Sequence, residues 1–462
     1  MYSHRWSKYR DQIVKQSSLM VDFYELTMAS AYYRFKPSAK ATFDLFVRKL
    51  PKNRSFLVAC GIEDALSYLK NLSFSKDDIQ YLKRFNLPAG FLKFLSKLMF
   101  TGDVWAVKDG TVIFAGEPIL RITAPLIEAQ LVESYLLNNI NVQTAVASKA
   151  VRVVMSAQTR PVFDFSLRRT QGLEAGLKAA RASYIAGCAG TSTVLAGKLF
   201  DIKVVGTMAH SYIMSFGNEL ESFQAYAQVF PGESILLLDT YSYDQGIKNA
   251  ITVANELKEK GYKLLGVRLD SGNLLRESKK IRTLLNKNGL SFVKIFASGN
   301  LDEFKIEKLL QKGAPIDSFG VGTNMGVSVD APYCDVIYKI SEVTDKSGFF
   351  SPTMKLSRGK STIPGRKQIF RINDRKGKMS GDILALEREK IKGNPLLKKM
   401  MGNGRKLYPE CTLKSTREFV AKQLKNIPDQ YKKLKPVKVY PVKRSRGLEK
   451  LMQDVSKQIK QT

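Results

Sequence analysis

Apolar positions along this chain change their period twice, and each change marks a new kind of structure. Over residues 22–33, Phe23, Leu26, Met28, Ala31 and Tyr32 recur as a rough helical stripe. Residues 42–48 alternate apolar and polar as a strand does, and Lys49-Leu50-Pro51 ends them. Residues 56–61 read as a second strand and 62–69 as a helix. Residues 77–98 are helical in pattern, broken at Leu87-Pro88-Ala89-Gly90. Three short strands follow at 104–107, 111–114 and 119–122, with turn chemistry in Lys108-Asp109-Gly110 and Gly116-Glu117-Pro118. The pattern predicts an α+β N-terminal part with an antiparallel element. From 125 to 156 it is helical again, with Leu126, Ala129, Leu131, Tyr135, Leu136 and Ile140 along one face.

The texture then changes to short unbroken apolar runs, each ending in a polar or glycine signature. Pro161-Val162-Phe163 leads to Asp164-Phe165-Ser166-Leu167-Arg168-Arg169, and Lys203-Val204-Val205 leads to Gly206-Thr207-Met208-Ala209-His210. Residues 234–238 lead to Asp239-Thr240-Tyr241, and 263–267 to Arg268-Leu269-Asp270-Ser271-Gly272-Asn273. Residues 293–296 lead to Ala297-Ser298-Gly299-Asn300, and 316–319 to Gly320-Val321-Gly322-Thr323-Asn324. The spacing of roughly 30 residues is that of a βα repeat. Strands buried on both faces of a parallel sheet read as continuous apolar runs. In a βα barrel the reactive groups gather at the C-terminal strand ends, where every one of these signatures lies.

The predicted fold is therefore α/β: an irregular βα barrel with a flanking α+β domain and a basic C-terminal segment. An open doubly wound sheet is the alternative. The expected boundaries are 1–145 for the α+β domain, completed by 335–390, where 335–340 and 368–372 read as strands. The barrel takes 146–334. The lysine-rich segment takes 391–462, with helical patterns at 415–425 and 447–460.

Composition narrows the partners. A chain of 462 residues calls for two or three domains. No apolar run approaches the roughly 18 residues of a membrane helix, and the start lacks a signal-peptide core. Cys60, Cys188, Cys334 and Cys411 form no C-x-x-C pair, which fits a reduced cytoplasm and no metal cluster. The net charge is +32, of which residues 391–462 carry +14, with 19 Lys and Arg against 5 Asp and Glu. Such charge attracts nucleic acid or phosphate-rich small molecules. No nucleic-acid motif accompanies it, so a solvated basic surface is the plainer reading.

The chain has two histidines. His4 lies in a polar start, whereas His210 ends a strand-like run, where neutral-pH proton or phosphoryl chemistry belongs. Gly320, Gly322 and Thr323 let backbone N–H groups approach a phosphate ahead of a helix, and Ser298-Gly299 on the preceding strand end would share it. Arg168-Arg169 and Arg268, with Lys149 and Arg152, add positive charge to the same rim. Asp239 and Asp270 are placed to orient His210, hold Mg²⁺ or accept ribose hydroxyls, although strand-end aspartates commonly cap helices. Tyr24 and Phe165 are candidates to stack on a flat ring. The combination points to phosphoryl or phosphoribosyl transfer.

Five stretches in order make the reading more specific. They are Asp22-Phe23-Tyr24-Glu25-Leu26-Thr27-Met28, then Phe163 to Gly172, then Gly206-Thr207-Met208-Ala209-His210-Ser211, then Val267-Arg268-Leu269-Asp270-Ser271-Gly272, then Phe319-Gly320-Val321-Gly322-Thr323. Together they resemble the nicotinate phosphoribosyltransferase family over nearly the whole chain, up to about Pro395. The resemblance implies transfer of phosphoribose from 5-phosphoribosyl 1-pyrophosphate to nicotinate, giving nicotinate mononucleotide and pyrophosphate, with ATP hydrolysis and Mg²⁺, in NAD salvage. It also implies a homodimer with shared sites. In it His210 is the histidine that ATP phosphorylates, Asp239 orients it, and Arg268 and Thr207 hold nicotinate. Tyr24 of a partner subunit stacks on the pyridine, Gly320, Gly322 and Thr323 hold the ribose 5-phosphate, and Asp270 binds ribose hydroxyls or magnesium.

Ser166 departs from the glycine expected there. Nicotinamide-using relatives carry a similar Asp-Phe-Gly, and an unshielded Asp164 would repel a carboxylate. The alternatives are a nicotinamide phosphoribosyltransferase, a quinolinate phosphoribosyltransferase, or a nucleic-acid-binding protein acting through its basic tail.

Overall fold

The computed structural model describes residues 18–461 apart from 358–359 and 436–437. The polar start, His4 included, lies outside the described residues. The chain forms two compact units: the first is Met1–Ser148 together with Ala331–Thr462, the second Lys149–Asp330.

The first unit is built on a seven-stranded sheet in which Lys40–Val47 is an interior strand, third from one edge. That strand pairs antiparallel with Pro118–Pro125 on one side and with Val336–Thr344 on the other. The chain that leaves after residue 148 thus returns to the same sheet. Alternation over 42–48 predicted one wet face, yet Thr42 and Asp44 are buried as deeply as Phe43 and Leu45. Partners make this tolerable: Thr42 donates to Glu342 at 2.8 Å, and Lys367 lies 2.7 Å from Asp44.

The lysine-rich segment is not a separate piece. Lys398–Gly402 pairs with Asp103–Ala106. Helix Leu413–Asn426 sends Gln423 to the backbone of Gly110 and Val112 at 2.6 and 3.1 Å. Helix Arg446–Gln461 buries Leu448 with Ile369 and Leu384 of a second, four-stranded sheet. Apolar and amide groups anchor the segment inward, while its lysines stay largely at the surface.

The second unit carries six parallel strands: β1 Val162–Asp164, β2 Gly190–Thr191, β3 Ile235–Leu237, β4 Gly266–Leu269, β5 Lys294–Ala297 and β6 Ser318–Val321. Their order across the sheet is β2-β1-β6-β5-β4-β3, which is chain order read around a circle. A doubly wound sheet would instead reverse at a switch point. The ladder is a curled βα sheet with a seam between β2 and β3. At that seam the expected strand 203–205 is reduced to one parallel bridge, Thr191 to Val204. β2 itself escapes sequence reading because two residues, one a glycine, carry no period.

Candidate active site

The polar strand ends meet at one end of this sheet, and helix caps decide which of them stay available. Ser242 and Asn273 cap the helices Tyr243–Glu259 and Leu274–Lys287, accepting from Gln245 N and Arg276 N. Asp239 and Asp270 are therefore released from the capping role that strand-end aspartates commonly take.

Arg268 leaves β4 and donates to the Thr207 hydroxyl and, at 3.0 Å, to the Met208 carbonyl. Its guanidinium lies 3.8 Å from Asp270 Oδ1, and Asp270 Oδ2 lies 3.8 Å from His210 Nε2. Burial lowers the Arg268 pKa, Asp270 and Asp239 oppose that, and the nearby Arg168 charge adds to it. Ser298 at the end of β5 donates to Asp270 Oδ1. Gly299 sits at φ +91°, and a Cβ there would lie 1.6 Å from the Asp270 carbonyl oxygen. Only glycine lets β5 pass so close to β4.

The expectation that Asp239 orients His210 is not met. His210 Nδ1 instead lies 3.1 Å from the Thr240 hydroxyl. Asp239 Oδ2 accepts from Ser271 Oγ at 2.5 Å, and Tyr243 OH braces Ser271 by donating to its carbonyl at 2.7 Å. Asp239 Oδ1 is buried without a hydrogen-bond partner. Thr240 and Ser271 stand in the strand-end signatures without an assigned role and Tyr243 lies outside them, since hydroxyls near a strand end carry no pattern.

The strand ends that carry the expected phosphate signatures are joined. Asn324 Nδ2 donates to Asn300 Oδ1 at 2.9 Å and to Leu301 O at 3.0 Å, tying the end of β6 to the end of β5. The helix after the glycines is a single turn, Thr323–Gly326. It is too short for much of a dipole, so an anion would rest on turn amides and the Thr323 hydroxyl.

Two expected contributors lie elsewhere. Lys149 and Arg152 are spent in a buried cluster, Lys149 at 2.5 Å from Glu303 and 2.8 Å from Asp330, and Arg152 at 2.8 Å from Glu303. Tyr24 belongs to the first unit, on helix Phe23–Phe35, half exposed, its phenol pushed up to about 12 by burial and by the Glu133 charge. Asp164 is 1% exposed and held by Ser166 and Thr191. Its carboxylate is turned into those two hydroxyls.

A cavity of about 560 Å³ gathers at the N-terminal ends of the strands, lined by Glu233, Leu265, Lys294, Asp317 and Ser318. It reaches toward the strand-end cluster through Phe163, Phe165, Phe296, Gly206 and Thr207. Phe165 and Phe296 pack at 5.7 Å between ring centroids, and a Cβ on Gly320 would strike both. Glycine at 320, where barrels carry bulky branched residues, makes room for the two rings.

Among the described residues no group of three or more His, Cys, Asp or Glu side chains is arranged to hold a metal, and no helix is long and apolar enough to cross a membrane. Asp239 and Asp270 nonetheless suit Mg²⁺, which takes one or two carboxylates with substrate phosphates. The unpartnered Asp239 oxygen is the observation that fits.

Comparison with known proteins agrees with this geometry. Residues 19–141 match the N-terminal domain of nicotinate phosphoribosyltransferase, 161–349 the nicotinate phosphoribosyltransferase family, and 391–452 its C-terminal domain. The last match extends the likeness past about Pro395, where the resemblance read from the sequence ended. A nicotinate phosphoribosyltransferase of Mycobacterium tuberculosis is 43% identical over 428 residues, covering 92% of this chain and 91% of that protein. One of Bacillus subtilis is 35% identical over 454 residues, with 92% of each covered. The crystal structure of human nicotinic acid phosphoribosyltransferase superposes with a TM-score of 0.84 at 28% identity, covering 94% of this chain and 99% of that one. That of a nicotinate-nucleotide pyrophosphorylase from Pyrococcus furiosus gives 0.71 at 27%, covering 89% and 96%.

Proposed function

The chain belongs to the nicotinate phosphoribosyltransferase family, and we propose that its strand-end cluster transfers phosphoribose from 5-phosphoribosyl 1-pyrophosphate to nicotinate, with ATP phosphorylating His210. The observation that carries this reading is the grouping of Arg268, Thr207, Asp270 and His210 within hydrogen-bond and ion-pair reach of one another, beside a hollow aromatic-lined interior.

The pyridine ring lies against Phe165. Its carboxylate replaces part of the Arg268–Thr207 contact, where a guanidinium offers a forked, charge-assisted pair. That demand for an anion favours nicotinate over nicotinamide. The ring nitrogen needs no general base, because its lone pair attacks ribose C1 directly. The C1–O bond to pyrophosphate breaks, and pyrophosphate leaves with the electron pair. Positive charge develops on the ribose and then on the pyridinium, and Asp270 is the nearest carboxylate to Arg268 and His210, placed to stabilise it and to accept ribose hydroxyls. The 5-phosphate rests on Gly320, Gly322 and Thr323, beside Ser298 and Gly299. Arg168 supplies further positive charge for the diphosphate. Asp239 and Asp270 would hold Mg²⁺, which neutralises diphosphate charge when bound. His210 is two-fifths exposed, accessible to ATP, with Thr240 fixing its ring. A phosphoryl group there adds negative charge to the site and couples turnover to ATP. A homodimer in which Tyr24 of a partner caps the ring completes the proposal.

The test is turnover by purified protein with phosphoribosyl pyrophosphate and Mg²⁺, nicotinate against nicotinamide, with and without ATP, beside His210→Ala. Nicotinate turnover stimulated by ATP, with the stimulation lost in the variant, is expected. Turnover of nicotinamide alone would reject the substrate assignment, and ATP stimulation surviving in His210→Ala would reject the phosphohistidine.

A further inference from the structure

Asp164 sits between two aromatics that line the cavity, yet points the other way. Phe163 and Phe165 line the cavity, so the alternation of β1 turns Asp164 to the opposite face, where it is 1% exposed. There it gathers three donors. Ser166 gives its backbone N–H at 3.1 Å and its hydroxyl at 2.6 Å to Oδ1, and Thr191 gives its hydroxyl at 2.7 Å to Oδ2. Ser166 and Thr191 are themselves fully buried.

We propose that Asp164 is a positioning residue, whose carboxylate, clamped between Ser166 and Thr191, sets the turn that presents Phe165 and Arg168 to the substrates. The inference rests on the reading of those two side chains as substrate contacts.

The geometry carries it in three steps. The bond from Ser166 N to the side chain two residues earlier folds the strand end into a tight turn. Out of that turn comes the 3-10 helix Leu167–Arg169, with Arg169 N bonded to Ser166 O at 2.8 Å. The Thr191 bond then fixes the turn to the neighbouring strand, alongside Ser192 N on Asp164 O at 2.8 Å and Phe165 N on Val321 O at 2.9 Å. Finally, the turn has no slack on its far side. A Cβ on Gly326 would lie 2.2 Å from Ser166 Cβ, so the segment after the phosphate glycines packs directly against it. A serine at 166, in place of the expected glycine, supplies the hydroxyl that closes this network.

Replacing the carboxylate by a methyl group leaves three buried donors unpaired and frees the turn to shift. A displacement of about 1 Å at a reacting geometry costs on the order of a hundredfold. The experiment is steady-state kinetics on the full chain with nicotinate, phosphoribosyl pyrophosphate, Mg²⁺ and ATP, for Asp164→Ala, Asp164→Asn and Phe165→Ala. Asp164→Ala is expected to raise the KM for nicotinate roughly tenfold or more, with a smaller effect on kcat. Asp164→Asn keeps an oxygen for Ser166 and offers its amide to Thr191, and should stay within about threefold of the parent. A folded Asp164→Ala protein with the parental KM for nicotinate, its loss confined to thermal stability, would overturn the proposal. If Asp164→Ala does not fold, Thr191→Val carries the same test. A rise of roughly threefold in that KM is expected, and no change overturns the idea. Phe165→Ala separates the two layers: an unchanged KM for nicotinate there removes the ring platform, and the inference with it, while a raised KM beside a parental Asp164→Ala overturns the inference alone.

Discussion

Two charge clusters in the second unit use the same chemistry to opposite ends. Lys149, Arg152, Glu303 and Asp330 form one; Arg268, Asp270, His210 and Asp239 form the other. In the first, burial would raise the Glu303 pKa, but Lys149 and Arg152 outweigh it and hold the carboxyl below its ordinary value. Charge there is spent on charge. In the second, the separations stretch to 3.8 Å, His210 and Asp270 stay two-fifths and one-third exposed, and a buried Asp239 oxygen has no partner. A cluster with unfilled hydrogen-bond capacity on an open rim is one that a ligand can complete.

The contrast breaks most visibly at Glu303. Glu303→Ala should cost about 3–5 kcal/mol of stability by stranding two buried cations, seen as a lower urea midpoint, while the folded protein keeps its KM for nicotinate. Arg268→Ala should do the reverse, lowering kcat/KM for nicotinate roughly hundredfold with the urea midpoint nearly unchanged. If both variants lose stability and neither loses specificity, the distinction between closed and open clusters fails. Asp239→Asn should lower kcat roughly tenfold and shift the Mg²⁺ dependence to higher concentration, with Ser271→Ala milder, since it removes only the brace.

The smallest effect concerns a polar group between these extremes. Glu25 accepts from Ser134 with one oxygen, while its other oxygen is buried and unpartnered. Burial first, then the Glu133 charge, pushes its pKa from 4.5 up to about 7, against the Ser134 bonds. The folded state therefore keeps a proton that the unfolded chain has lost. Stability should fall as pH rises from about 4.5 to 7 and level off above. Discounted for solvent contact, the slope amounts to on the order of 1–2 kcal/mol. Glu25→Gln should remove that slope, which denaturant midpoints at pH 5 and pH 8 would show. An equal slope in the variant would place its origin in other groups.

Sequence legibility followed the same divide between local and assembled features. Five of the six apolar runs became β1, β3, β4, β5 and β6 within a few residues, because buried parallel strands need continuous apolar stretches. The run at 203–205 became a single bridge at the seam. His210, Arg268, Asp270, Ser298 and Gly299 fell together because a parallel sheet sends every strand end the same way. Lys149 and Arg152 misled because a cation on a helix says nothing about which face it takes or what acid waits there. The lysine-rich segment looked detached by its charge, whereas Gln423 and Leu448 fasten it to the first unit.

The sequence by itself determined five of the six parallel strands, the polar signatures at their ends and, through five linked motifs, the family. Those are properties of consecutive residues, set by period and turn chemistry. Only the tertiary structure decided that Thr240, rather than Asp239, holds His210, and that Asp164 is buried against Ser166 and Thr191. It alone left one Asp239 oxygen without a partner. Each depends on which side chains distant in the chain come within about 3 Å of one another, a matter of register and packing that no local pattern encodes.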